Sequence, residues 1–245
     1  MRTWKKLGYV AAYYDQEGAQ CYVLEKNDHI VVAFRGTEPK EFSDIKADMS
    51  FRKTWHRGYG KVHRGFMIEV WKLADCLAPH IFKTEKQVYI TGHSLGGAMA
   101  TLYSQLCRPN GSPIVYTYGA PRAGDRVFAK NFKGRLHRMR NNNDLVPTVP
   151  PAWIGFRHVG DVTYINHHGY IRKYTWWQKW KDHWRGRMAS IKNLQFFDGI
   201  RDHSMDKYCK ALYNSWKETR EIGGPTGPEP TRFGTWENKG REIDF

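Results

Sequence analysis

No stretch of the 245 residues approaches the roughly 20 consecutive apolar residues that a bilayer-spanning helix needs. Cysteine is scarce as well. The four present (Cys21, Cys76, Cys107 and Cys209) are far apart, which excludes the paired spacings of a zinc site and argues against a disulfide framework. Free buried thiols in a reducing compartment are the expectation, and with them a cytoplasmic chain. Acidic side chains are few: 24 Asp and Glu against 39 Lys and Arg leave a net charge of +15. That excess fits an anionic neighbour such as a lipid surface. The charge is spread along the chain and no nucleic-acid module accompanies it, so no nucleic-acid partner is expected. The first 14 residues carry a basic end and a short apolar run. The run meets Asp15 without a small-residue cleavage site, and so reads as a folded segment and not a signal peptide.

The middle of the chain alternates strand and helix signals. Residues 19–25 and 29–34 are β-rich runs about a Lys26-Asn27-Asp28 turn, which reads as a hairpin. A polar, irregular segment extends from there to about Lys61. Residues 63–82 read as a helix with Phe66, Val70, Leu73 and Leu77 on one face. Strands follow at 88–90, 114–118, 136–140 and 156–165, with helices at 95–107, 127–132 and 205–217 between and after them. This order predicts an α/β fold: a mostly parallel central sheet, helices on both faces, and the N-terminal β-hairpin at one edge. From Glu221 the composition turns to Gly and Pro, which cannot pack as a helix or a central strand. The chain therefore divides into a domain over 1–220 and a flexible tail over 221–245.

At the centre stands Gly92-His93-Ser94-Leu95-Gly96, placed between a short strand and an Ala-rich helix. Gly-x-Ser-x-Gly at such a junction makes a turn so sharp that the residues two before and two after the serine must lack bulk. The Ser94 hydroxyl is thereby lifted out at the end of the strand, with the Leu95 N–H positioned to meet an oxyanion. A serine at neutral pH needs a base, and the base needs an orienting acid. Asp144 is the best acid: it follows a strand end and a run of three asparagines that suit tight turns. Asp125 reads as a helix cap and Asp161 as a strand residue. Among the 11 histidines, His203 lies just before the last helix, on a loop able to reach Ser94. His167 and His168 are the other candidates for the base. Thr37, after the strand that ends in Arg35-Gly36, would be the second oxyanion donor, with Arg35 fixing the loop. Such a site needs neither a metal nor an organic cofactor.

Seven motifs then carry a family resemblance. In order they are Val-Val-Ala-Phe-Arg-Gly-Thr (31–37), Val-His-Arg-Gly-Phe (62–66), Gly-His-Ser-Leu-Gly-Gly-Ala (92–98) and Tyr-Gly-Ala-Pro-Arg-Ala-Gly-Asp (118–125), followed by Asn-Asp-Leu-Val-Pro-x-x-Pro (143–150), Arg-His-Val-Gly (157–160) and Asp-His-Ser-Met-x-x-Tyr (202–208). From about residue 9 to 218 the chain resembles the class 3 lipases, the fungal-lipase-like α/β-hydrolases. The resemblance implies a triad of Ser94, Asp144 and His203, an oxyanion pair of Thr37 and Leu95, and cleavage of acyl esters through an acyl-enzyme. A phospholipase A1 acting on anionic membranes is the alternative within the same chemistry. A non-catalytic lipid-surface or assembly-partner protein is the alternative outside it.

Three stretches depart from the family pattern or stand outside it. The segment at the lid position, 38–49, is mostly charged, which points to esterase-like behaviour without a sharp interfacial jump. In 170–191, Trp177, Trp180 and Trp184 recur on one helical stripe amid Lys and Arg, a pattern that suits either an anionic membrane surface or packing on the domain itself. Residues 227–245 resemble the C-terminal segment of the small succinate dehydrogenase assembly factors. The tail is too short for a core of its own, and is expected to be a flexible peptide or a partner-docking strip.

Overall fold

The computed structural model describes residues 2–36, 51–56, 58–106, 112–166, 168–171, 177, 181, 203–221, 235–238 and 241–244. The chain opens with a short helix α1 (Arg2–Lys6) and three antiparallel strands, β1 (Val10–Gln16), β2 (Ala19–Glu25) and β3 (His29–Phe34). The expected hairpin is β2–β3. β1 was read only as a folded segment; its Tyr and Ala residues hide the alternation that marks a strand.

Strand β3 alternates fully, with Ile30, Val32 and Phe34 buried. It then pairs in parallel with β6 (Gln87–His93), which leads on to β7 (Ile114–Tyr118), β9 (Arg135–Asn141) and β11 (Asp161–Ile165). The seven-stranded order is β1-β2-β3-β6-β7-β9-β11. One face carries the main core. There α2 (Arg64–Ile81) presents Phe66, Val70, Leu73, Leu77 and Ile81 at helical spacing, and α3 (Leu95–Leu106) buries Ala98, Met99, Ala100, Leu102 and Tyr103. Small residues at the start of α3 let it approach the strands closely. Leu136 of β9 joins that core, whereas Met139, three residues on, faces the other side. On that side it packs with Ile165 and with Tyr208 and Ala211 of the closing helix α5 (Met205–Glu221). The sheet is therefore covered on both faces, as expected.

Two readings are corrected. The segment taken as irregular up to Lys61 contains β4 (Lys53–His56) and β5 (Gly60–His63). With β8 (Gly124–Asp125) and β10 (Phe156–Arg157) they form a second, four-stranded sheet. Residues 156–165 are not one strand: the chain breaks at Gly160 (φ +75°), where any Cβ would lie 2.2 Å from the Leu136 carbonyl oxygen. Its first part serves the small sheet and its second the large one. A short helix, α4 (Arg126–Asn131), is capped by Asp125, whose carboxylate accepts the Phe128 N–H at 2.8 Å. In the tail, β12 (Thr235–Asn238) and β13 (Arg241–Asp244) pair as an antiparallel hairpin, order that the composition did not suggest. No described helix is long and apolar enough to cross a membrane.

Candidate active site

The carboxyl ends of β3, β6, β7 and β9 converge on one place, where open α/β sheets put their ligands. Ser94 sits there between β6 and α3 at φ +56°, the left-handed conformation that non-glycine residues rarely adopt. The strain is over-determined by its neighbours. A Cβ on Gly92 would lie 2.2 Å from the Gly96 oxygen, and one on Gly96 would lie 2.4 Å from the Phe34 oxygen. The two glycines of the motif are thus needed because strand, turn and helix touch through bare backbone. The Ser94 N–H donates to the Tyr118 carbonyl at 3.0 Å, and the Ser94 carbonyl accepts the Gly97 N–H at 3.0 Å. The serine is fully buried, and its hydroxyl has no hydrogen-bond partner among the described residues.

Asp144 and His203 meet although they are 59 residues apart. His203 Nδ1 lies 3.0 and 3.1 Å from the two Asp144 carboxylate oxygens, with both residues almost wholly buried. With Nδ1–H donating to the carboxylate, Nε2 is left as the basic nitrogen. Two further donors hold the Asp144 carboxylate: the Val146 N–H reaches Oδ1 at 2.9 Å and the Tyr208 hydroxyl reaches Oδ2 at 2.5 Å. The Tyr208 oxygen in turn accepts the Asn141 N–H at 3.0 Å. Burial, and next the Asp144 charge, push the Tyr208 phenol well above its ordinary 10, so it remains a donor. His93, the residue before Ser94, stacks on the His203 ring at 4.4 Å and donates Nε2–H to the His203 carbonyl at 2.6 Å. Burial, and next the His203 ring, bring His93 down to about 4, so it is neutral at physiological pH. Gly119 (φ +58°) packs under the Asp144–His203 pair.

The fold brings Ser94, Asp144 and His203, the three residues to which the sequence pattern points, to this strand-end cluster. In the sequence Tyr208 stands only as a motif letter and His93 as part of the turn. Both contacts are tertiary, and no local pattern announces them. Leu95 is the first residue of α3. Thr37 and the charged segment 38–49 lie outside the described residues, as do His167, Trp180 and Trp184. Gly36 is described: a Cβ there would lie 2.3 Å from the His93 oxygen and 3.2 Å from Ser94 Cβ, so the loop leading to Thr37 begins against the serine. Arg35 is tied away from the site by its guanidinium bond to the Gln20 side chain and its N–H to the Gln20 carbonyl. His168 lines a separate surface cavity with Asn141, Asn166 and Lys207, and His158 is held by the Pro147 carbonyl.

The family model described as lipase (class 3) matches residues 31–153, and one described as a protein of unknown function (DUF1674) matches residues 205–245. A secreted mono- and diacylglycerol lipase, MDL3 of Malassezia globosa, is 30% identical over 226 residues, covering 84% of this chain and 69% of that protein. Secreted mono- and diacylglycerol lipase 1 of Fusarium solani is 42% identical over 109 residues, covering 40% of this chain and 32% of that protein. The crystal structure of a lipase from Rhizopus microsporus var. chinensis superposes with a TM-score of 0.53 at 30% identity, covering 64% of this chain and 61% of that one. The chain thus spans about two thirds of the first of these relatives and less of the other two. Relatives named as secreted overturn the expectation of a cytoplasmic chain. That expectation rested on buried free thiols and on an N-terminal segment that does not read as a signal peptide; Cys209 is exposed and Cys76 half-buried.

Proposed function

The chain belongs to the class 3 lipase family, and we propose that it is a serine carboxylester hydrolase that cleaves acyl esters through an acyl-enzyme on Ser94. The observation that carries this reading is the buried Asp144–His203 pair at 3.0 Å, stacked on the residue that precedes a strained serine. His203 Nε2 takes the proton from Ser94 Oγ as the oxygen attacks the ester carbonyl. Asp144 holds the tautomer and supports the imidazolium, while Tyr208 and His93 position acid and base. The Leu95 N–H and Thr37 receive the oxyanion. The Nε2–H then protonates the departing alkoxide, and the same nitrogen activates the water that releases the acid. Acylglycerols are the substrate class that the relatives' names suggest, and those names favour neither the phospholipase reading nor the non-catalytic one. The test is labelling of the full chain with a fluorophosphonate. Labelling abolished by Ser94→Ala and greatly slowed by His203→Ala is expected; a folded wild type that does not label would refute the reading.

Residues 1–220 then form the hydrolase unit, with 221–245 as an appended strip that docks a partner. The insert carrying Trp177, which is 64% exposed, is the proposed contact with an anionic membrane surface. Wild-type chain should sediment with phosphatidylglycerol vesicles more than Trp177→Ser does; equal sedimentation would remove the insert from that role.

A further inference from the structure

Behind the triad acid lies a group of arginines for which the hydrolytic mechanism has no use. Arg138 and Arg140 stand two apart on β9, so both side chains leave the same face of the sheet. Thr117 of β7 is the register partner of Arg138 and shares that face. Thr117 is fully buried, and its hydroxyl has no hydrogen-bond partner among the described residues. The same holds for the buried Nε atoms of Arg138 and Arg140. Three buried polar atoms on adjacent positions of one sheet face thus lack a partner among the described residues, where nearly all such atoms in folded proteins have one.

The charges around them make the arrangement stranger. Arg122, on the loop after β7, donates its guanidinium to the carbonyls of Thr148 and Pro150, on the segment that follows Asp144. Burial, and next Arg140, lower Arg122; burial, and next Arg140 and Arg122, lower Arg138 to about 10. No described carboxylate forms an ion pair with any of the three. His158 adds no negative charge: burial, and next Arg138, hold it to about 3, so it stays neutral while donating to the Pro147 carbonyl. Three cations stand together at the edge of a core with no described carboxylate paired to any of them, which costs stability unless an anion joins them. Guanidinium forks and a hydroxyl are the donors that fit the oxygens of a tetrahedral oxyanion. Access is present, because Arg138 and Arg140 are only half-buried and the neighbouring β11 is the edge strand of the sheet.

We propose that Arg122, Arg138 and Arg140, with the Thr117 hydroxyl, bind a phosphate-class oxyanion on this face of the sheet, against the segment that carries Asp144. The phosphate is either free or the head group of a lipid, and the experiment separates the two. Thermal melting of the full chain is followed as inorganic phosphate replaces chloride at constant ionic strength. A saturable rise in Tm is expected for the wild type. Arg138→Gln and Arg140→Gln should each weaken the phosphate midpoint by about tenfold or more, as the loss of a bond to a charged group predicts. Without phosphate each variant should melt no lower than wild type, because each removes one of the crowded like charges. In the second arm the chain is sedimented with vesicles of phosphatidic acid or of phosphatidylcholine. Arginine-dependent binding to phosphatidic acid without any response to free phosphate assigns the site to a head group. Should the arginine variants fail to fold, Thr117→Val and a tungstate-soaked crystal of the wild type take their place, with anomalous density expected between Arg138 and Arg140. A wild type that responds to neither form of phosphate, variants that respond as fully as wild type, or a soaked crystal without that density would overturn the proposal.

Discussion

Replacing Gly119 by alanine should disable the site more than it unfolds the chain. Gly119 has φ +58°, and an added Cβ would stand 2.7 Å from Asp144 Oδ2 and 2.8 Å from His203 Nδ1. Real Cβ atoms do not come that close, so something must move by roughly half an ångström or more. Neither neighbour is a loose side-chain end. Asp144 is held by Tyr208 and the Val146 N–H, and the His203 carbonyl is held by His93. If the pair separates, the bond at 3.0 Å is lost. If the backbone at residue 119 retreats instead, it pulls on Tyr118, whose carbonyl anchors the Ser94 N–H at 3.0 Å. Either way the reacting groups are displaced, and misplacement on this scale costs about 100-fold in kcat/KM. The left-handed backbone adds about 1–2 kcal/mol, a fall in Tm of roughly 2–8 °C for a domain of this size. Gly18→Ala is the matched control: its φ is +85°, with nothing within 4 Å of the added carbon. It should show the loss of Tm alone. Hydrolysis of a p-nitrophenyl ester and the rate of fluorophosphonate labelling are both measured. Gly119→Ala with wild-type turnover would refute the argument, as would equal losses of activity in both variants.

Tyr208→Phe removes the donor to Asp144 Oδ2 and leaves the buried Asn141 N–H without its acceptor. A bond to a charged group is worth about 1.5–3 kcal/mol, so Tm should drop and kcat should fall about tenfold at unchanged KM; an unaltered kcat would deny Tyr208 its positioning role. Thr37→Gly keeps the backbone N–H but loses the hydroxyl, and kcat should fall by about 10²–10³ with little change in KM. A variant with full turnover would take Thr37 out of the oxyanion site. His63→Asn tests a buried base. His63 caps α2 by accepting the Phe66 N–H, and burial lowers it from 6.5 to about 4. The unfolded chain therefore binds a proton that the folded chain refuses, so its stabilisation is complete above pH 6.5 and is lost as pH falls toward 4. The loss amounts to roughly 3 kcal/mol. Asparagine keeps the cap without titrating, and the variant's urea midpoint should change less between pH 7 and pH 4; an identical slope would show that His63 does not contribute to acid sensitivity.

The parts of the site legible in the sequence are those that local sterics dictate. Gly92 and Gly96 flank Ser94 because bare backbone must touch there, and that demand is written within five residues. Asp144 was legible because a strand end and an asparagine run place it, and His203 because it precedes the last helix. The contacts of Tyr208 with Asp144 and of His93 with His203 were not legible. The partners lie 64 and 110 residues away, and nothing beside either residue signals the contact. The second sheet escaped for another reason: β8 has two residues and β4 four, too few for alternation to show. Gly160 carried a usable signal. An isolated glycine inside a strand pattern marks a close backbone approach, and that is where the strand read over 156–165 divides.

The same distinction bears on the arginines. A sequence reports charge but not whether charge is compensated, so Arg122, Arg138 and Arg140 first counted only toward a net +15. Once β9 is placed in register beside β7, two of them share a face with a buried threonine, and the third reaches over the segment behind Asp144. A solvated basic surface would leave those groups to water and ions. Here Nε atoms and a hydroxyl are buried without a hydrogen-bond partner among the described residues, and a polar cluster of that kind is stable only if something meets its donors. The basic composition that suggested an anionic neighbour at the surface therefore has a second, interior address, and the phosphate titration reads that address separately from the vesicle surface.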